Sequence, residues 1–120
     1  QFCICANLYP YNPGHIMIFP LRHIEDIREM KKKEAAELFT LEIISLEILD
    51  EVFKPHGYNI GYNLGPCGGN SIKHLHQHIV PRFSNELGFV DVITESRIIV
   101  DDPRLSLSKL KNLFAAKLKK

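Results

Sequence analysis

Three histidines, His74, His76 and His78, recur at every second position inside the stretch that runs from Lys73 to Arg82. Imidazole titrates near neutrality and serves as nucleophile, proton donor or metal ligand, so three together invite chemistry in a way that one does not. The neighbouring residues are apolar or β-branched and favour an extended strand. A period of two then puts all three rings on one face, with Leu75 and Gln77 on the other. Successive imidazoles on such a face stand roughly 6.5 to 7 Å apart, close enough for one phosphate group to touch more than one of them. Zinc is the competing use of this triplet. Its closed tetrahedral sites usually carry second-shell carboxylates, and no Cys-x-x-Cys or His-Glu-x-x-His spacing accompanies the three histidines. His23 and His56, each taken alone, are read as structural or surface residues.

The elements that must position these rings can be read from periodicity and punctuation. Residues 2–8 form an apolar run short enough for a buried strand, and Pro10, Asn12, Pro13 and Gly14 supply turn chemistry after it. Residues 15–19 resume as a strand, so the two read as a hairpin that places Asn7 and His15 near one end of a sheet. A connection follows, with Glu25 and Asp26 at a short helix start. Residues 34–53 are a long helix, ended by Pro55 and Gly57. Its apolar positions, among them Leu38, Phe39, Leu41, Ile43, Ile48 and Leu49, exceed the roughly 100° stripe that a lone amphipathic helix needs. The surplus points to a second buried contact, a partner subunit in a homodimer.

Residues 58–63 read as the next strand, and the loop at 64–71 contains Gly65, Pro66, Gly68 and Gly69. Glycines there permit positive φ and let backbone amides approach a phosphate. Asn63, Asn70 and Ser71 add uncharged donors that bind phosphate oxygens without a metal. Beyond Arg82, residues 88–92 and 97–100 alternate and read as edge or covering structure. A final helix opens at Asp102-Pro103, with Leu107, Leu110, Phe114 and Leu118 on one stripe and lysines opposite.

A chain of 120 residues, 45% hydrophobic and 24% charged, suits one domain over residues 1–120. A formal net charge of +1 gives no nucleic-acid footprint, so a small substrate is expected. No stretch reaches the roughly 18 to 20 apolar residues of a membrane span, and nothing resembles a signal peptide. The 3 cysteines are an odd count, and Cys3-Ile4-Cys5 is too closely spaced for a zinc knuckle. Buried, reduced thiols in a cytoplasmic protein are the expectation. The chain begins with Gln1 inside what reads as a strand, so an authentic start is expected upstream.

The run from His74 to Val80 resembles the signature of the histidine-triad superfamily, in which histidines alternate with mostly hydrophobic residues; Gln77 departs from it on the face opposite the rings. The likeness continues in order through Asn7, Pro13-Gly14-His15, the long helix, Asn63, Gly69-Asn70-Ser71 and Pro81-Arg82. The last pair and Asn63-Leu64-Gly65 look more like the fragile-histidine-triad and diadenosine polyphosphate hydrolase or phosphorylase branches than the nucleoside phosphoramidase branch. The resemblance implies an α+β fold, an antiparallel sheet of about five strands with a long helix packed on it and the catalytic strand near a dimer centre.

It further implies a nucleotide hydrolase or nucleotidyltransferase that cleaves dinucleoside polyphosphates at the α-phosphate through a nucleotidyl-histidine. His76 is then the nucleophile, His78 and nearby amides stabilise phosphoryl charge, His74 positions or protonates the leaving group with Ser71, and His15 orients the row from behind. Asn7 is expected at the sugar, with Asn63, Gly69, Asn70 and Ser71 also contacting substrate and apolar residues near Phe2 and Ile18 forming a base pocket. No tightly bound cofactor or protein-held metal is expected, magnesium arriving with the substrate if at all. The alternatives are a nucleoside phosphoramidase of the same superfamily and a non-catalytic nucleotide-binding signalling module.

Overall fold

In the computed structural model the described residues are 1–6, 12–69, 72–84 and 103–118, the last stretch with side chains from residue 110 onward. Four strands come from the apolar and β-branched runs: β1 (Phe2–Ala6), β2 (Ile16–Pro20), β3 (Gly57–Tyr62) and β4 (Gln77–Arg82). They form one antiparallel sheet in the order β1-β2-β4-β3. The histidine strand is therefore interior, while β3 and β1 are the edges among the described residues. Residues 88–92 and 97–100, expected as further edge structure, lie outside the described residues.

Pairing fixes which side chains share a face. Ile16 stands opposite Ile79 and Ile18 opposite Gln77, whereas Met17 stands opposite His78. Burial alternates accordingly: Leu75, Gln77 and Ile79 are buried, and His74, His76 and His78 are half-buried. One face is the core and the other carries the histidines. β2 pairs with β4 only as far as Ile79, so Pro81 lies beyond the end of that ladder, where its missing N–H costs no bond to β2.

Helix α1 (Lys32–Phe53) crosses the core face. Leu38, Leu41, Ser45, Ile48 and Leu49 recur every three or four residues and are buried against Ile16, Ile18 and Ile79. At its start the Lys31 amide donates to Glu34 Oε1 at 2.9 Å, and Arg22 grips the same carboxylate at 2.7 and 3.1 Å. The Arg22 guanidinium holds the Glu34 carboxyl down at about 2. The helix ends at Lys54, which turns left-handed at φ 50, followed by Pro55. Helix α2 (Pro103–Leu118) starts on a proline, which suits a first helical position, and packs beside α1 with Leu110 and Phe114 buried. None of the described helices is long and apolar enough to cross a membrane.

Candidate active site

His78 enters the site from β4, and its neighbour across the sheet on the same face is Met17 of β2. His74 and His76 precede the regular strand instead of lying within it. Their backbone is tied to the segment that follows β2, since the Leu75 amide donates to the Ile24 carbonyl at 2.8 Å. The rings are nonetheless adjacent, those of His76 and His78 lying edge to face with centroids 4.8 Å apart.

The protonation of His76 follows from its backbone. Its Nδ1 lies 2.8 Å from the carbonyl oxygen of His74, an atom that only accepts, so Nδ1 carries the proton. The Nε2 lone pair of the neutral ring is then left for a nucleophilic role.

His15 stands behind this row. It is 2% exposed, and its Nε2 meets His78 Nδ1 at 3.0 Å. Burial, with His78 as the second cause, pushes the His15 imidazolium down to about 4. Burial, and then His76, pushes His78 down as well. At neutral pH this end of the row is uncharged, with one imidazole proton shared along the contact. The turn that delivers His15 is held to β4: Asn12, buried, donates from Nδ2 to the Pro81 carbonyl at 2.7 Å, and the His15 amide donates to the Asn12 carbonyl at 3.2 Å. Gly14, at φ +87, is pressed so close to Pro81 and Phe53 that a Cβ would sit 3.0 and 2.9 Å from their side chains.

The other end of the row is different. His74 Nε2 contacts the Pro20 carbonyl oxygen at 2.7 Å, and its Nδ1 meets Nδ1 of His23 at 3.2 Å. His23 in turn reaches Glu25 at 3.2 Å. His23, read from the sequence as a structural or surface residue, is exposed and in addition touches the histidine triplet. The missed signal is the path of the chain after β2, which runs alongside the residues preceding β4, where the Leu75 amide donates to the Ile24 carbonyl, and so brings His23 to His74. With both of its nitrogens engaged, His74 cannot hand a proton to a leaving group without breaking a contact, against that part of its expected role.

The glycine loop also departs from expectation. Residues Pro66–Gly68 close into a 3₁₀ turn, in which the Gly68 amide donates to Gly65 and the Gly69 amide to Pro66. The Gly69 amide is thus spent inside the loop and is not presented to a phosphate. Asn63 is exposed beside it, its Cγ 4.0 Å from where a Gly69 Cβ would stand. Asn7, Asn70 and Ser71 lie outside the described residues. Phe2 and Ile18 sit on the core face, Ile18 being 1% exposed, so they cannot line a pocket shared with the histidines. An apolar pocket does open there, lined by Phe2, Ile4, Ile16, Leu41, Leu110 and Phe114.

Gln77, the departure from the triad pattern, is buried on that same core face. Its Nε2 donates to Glu42 and to Tyr62 Oη, each at 3.2 Å, and ties the histidine segment to α1 and β3. Among the described residues no group of three His, Cys, Asp or Glu is arranged to hold a metal ion. The three cysteines are free, Cys3 and Cys5 half-buried and Cys67 exposed, so the expectation of buried thiols fails for Cys67.

Comparison with known proteins adds relatives to this geometry. A family model described as HIT domain matches residues 1–85. The chain is 40% identical over 94 residues to an AP-4-A phosphorylase of Mycobacterium tuberculosis, covering 78% of this chain and 48% of that protein. It is 30% identical over 88 residues to an asymmetrical bis(5'-nucleosyl)-tetraphosphatase of Schizosaccharomyces pombe, covering 73% and 48%. The chain spans about half the length of these relatives. Among solved structures, a hypothetical histidine triad nucleotide-binding protein from Sulfolobus tokodaii superposes with a TM-score of 0.77 at 22% identity, over 97% of this chain and 79% of the other. That likeness supports the fold.

Proposed function

The chain belongs to the HIT-domain family, and from that membership we propose that it cleaves dinucleoside polyphosphates at the α-phosphate through a covalent nucleotidyl-His76. The observation that carries the reading is the 2.8 Å contact from His76 Nδ1 to the His74 carbonyl, which frees Nε2. The relatives named AP-4-A phosphorylase and bis(5'-nucleosyl)-tetraphosphatase support the substrate class.

In the first step Nε2 of neutral His76 attacks the α-phosphorus in line. An N–P bond forms as the P–O bond to the nucleoside polyphosphate leaving group breaks. In the second step an oxygen of water or inorganic phosphate attacks the same phosphorus and releases His76. His78, with its Nδ1 turned to His15, offers Nε2 to the phosphoryl oxygens. Asn7, Asn63, Asn70 and Ser71 are proposed to bind the nucleotide, Asn7 at the sugar. Magnesium enters as a companion of the polyphosphate, and the working unit is a homodimer. The cytoplasm is the proposed location, which three free cysteines suit.

His76→Ala should lower turnover by roughly 10³-fold or more while leaving nucleotide affinity within a few-fold, because binding is spread over other groups. Quenching a wild-type reaction in alkali, where phosphoramidates persist, should trap a nucleotide on His76. Wild-type activity should survive a chelator. Turnover by the His76→Ala protein, or recovery of an intact dinucleotide from the wild type, would sink the reading. Running the assay with and without inorganic phosphate identifies the second nucleophile, since a nucleoside diphosphate product marks phosphorolysis.

A further inference from the structure

At one end of the histidine row the proton count is fixed by what the ring nitrogens face. His74 Nε2 points at the Pro20 carbonyl oxygen, 2.7 Å away, and must be protonated. His23 Nε2 points at a Glu25 carboxylate oxygen, 3.2 Å away, and must be protonated too. The two Nδ1 atoms confront each other at 3.2 Å, with the rings 20° from parallel and their centroids 5.1 Å apart. Two neutral imidazoles carry two N–H protons between them, and both are already committed. Neutral rings would therefore aim two lone pairs at one another. A third proton between the Nδ1 atoms turns that repulsion into a hydrogen bond and leaves the pair with one positive charge, Glu25 being its counter-ion.

We infer that His23 is a positioning residue of the active site: it shares a proton with His74, and the resulting cationic pair is the fixed charge that receives the substrate's polyphosphate beside His76. The surroundings suit such a charge. His23 and Glu25 side chains are 67% and 53% exposed, so the cation keeps much of its hydration and remains open to an incoming anion. Among the described residues the groups facing the pair are Glu25 from its own segment, the Pro20 carbonyl and the Phe19 ring from β2, the latter set at 79° to the His74 ring with centroids 5.8 Å apart. Two cations flank the pair in sequence: Arg22 is turned away to Glu34 and the Glu29 carbonyl, and Lys73, beside His74, is exposed.

The row is thereby polarised. His15 and His78 are held neutral by burial at one end. His74 and His23 hold a charge at the other, and the nucleophile stands between them with its Nδ1 on the His74 carbonyl. A cation one residue pair along the strand attracts phosphate oxygens toward the side of the row where His76 stands. In this arrangement His74 acts by charge, which accounts for a triad ring whose two nitrogens both point into protein.

The identity of the anion rests on the function proposed above; the proton count does not. Imidazole ¹⁵N NMR of the uncomplexed protein near neutral pH should therefore show three N–H protons shared by His23 and His74. Glu25→Gln supplies an amide that donates to His23 Nε2, so both rings become neutral with every contact kept, and the count should fall to two. With a dinucleoside polyphosphate, His23→Ala, which removes the shared cation and leaves Glu25 in place, should lower kcat/KM by roughly tenfold at low salt, and Glu25→Gln, which removes the cation together with its counter-ion, by about threefold. The difference from wild type should shrink as salt is added, and Glu25→Asp should recover most of the loss. Two neutral rings in the wild type, or kcat/KM unchanged in Glu25→Gln at low salt, would overturn the inference. A protein that cleaves no dinucleotide would end the functional reading, and the NMR count would still decide this one.

Discussion

His15 has a charge state that couples the site to the stability of the whole chain. Burial, helped by His78, holds its imidazolium at about 4, against an unfolded value near 6.5. Between those values the unfolded chain takes up a proton that the folded chain refuses, so acid favours unfolding. The stability contributed by a neutral His15 is fully present above the unfolded value and declines as pH falls toward 4. The expected loss is on the order of 3 kcal/mol across that window, and His78, displaced in the same direction, steepens it. Urea midpoints measured from pH 7 to pH 4 should show the decline, and His15→Gln, which cannot titrate, should flatten it. An equally steep decline in the variant would place the acid sensitivity elsewhere.

At the scale of elements, the turn between β1 and β2 does more than reverse the chain. Gly14 holds φ +87 and lies where a Cβ would come within 2.9 Å of the Phe53 ring and 3.0 Å of Pro81. A methyl group there is strained twice, by the left-handed backbone and by neighbours from the end of α1 and from β4. Gly14→Ala should cost about 2 to 3 kcal/mol, read as a lowered urea midpoint, and should loosen the His15 to His78 contact before any other part of the site. A midpoint within error of wild type would show that the turn relaxes freely. How far the sequence could be read follows the same line. The alternation about His74, the long apolar helix and the turn residues before His15 are local patterns, so strands, α1 and the face that carries His76 were legible from them. Sheet order is not local. The neighbours of β2 in the sheet decide that Ile18 points into the core, and the course of the chain after β2 decides that His23 meets His74; no periodicity within a strand states either. The glycine loop failed for another reason: composition showed that its amides were accessible, but not that Pro66 and Gly65 carbonyls would take them.

For the molecule as a whole, the open question is what covers the outward side of α1. Its inward side is accounted for by Leu38, Leu41, Ile48 and Leu49. Phe39 and Ile43, one turn apart on the outer surface, remain 63% and 46% exposed, and Ile60 on β3, an edge among the described residues, is 39% exposed. Apolar side chains stacked at i and i+4 on an exposed helix surface form a patch of the kind that a two-fold axis buries on both copies at once. Light scattering at micromolar concentration should therefore report two chains. Phe39→Glu combined with Ile43→Glu should convert the protein to a monomer while leaving its circular dichroism intact, because neither side chain supports the core of its own chain. Fully burying one such side chain contributes about 1.5 to 3 kcal/mol, so losing two from each copy exceeds the roughly 4 kcal/mol that separates nanomolar from micromolar association. A wild-type protein that is cleanly monomeric at micromolar concentration, or a double variant that still runs as a dimer, would rule out this face as the interface.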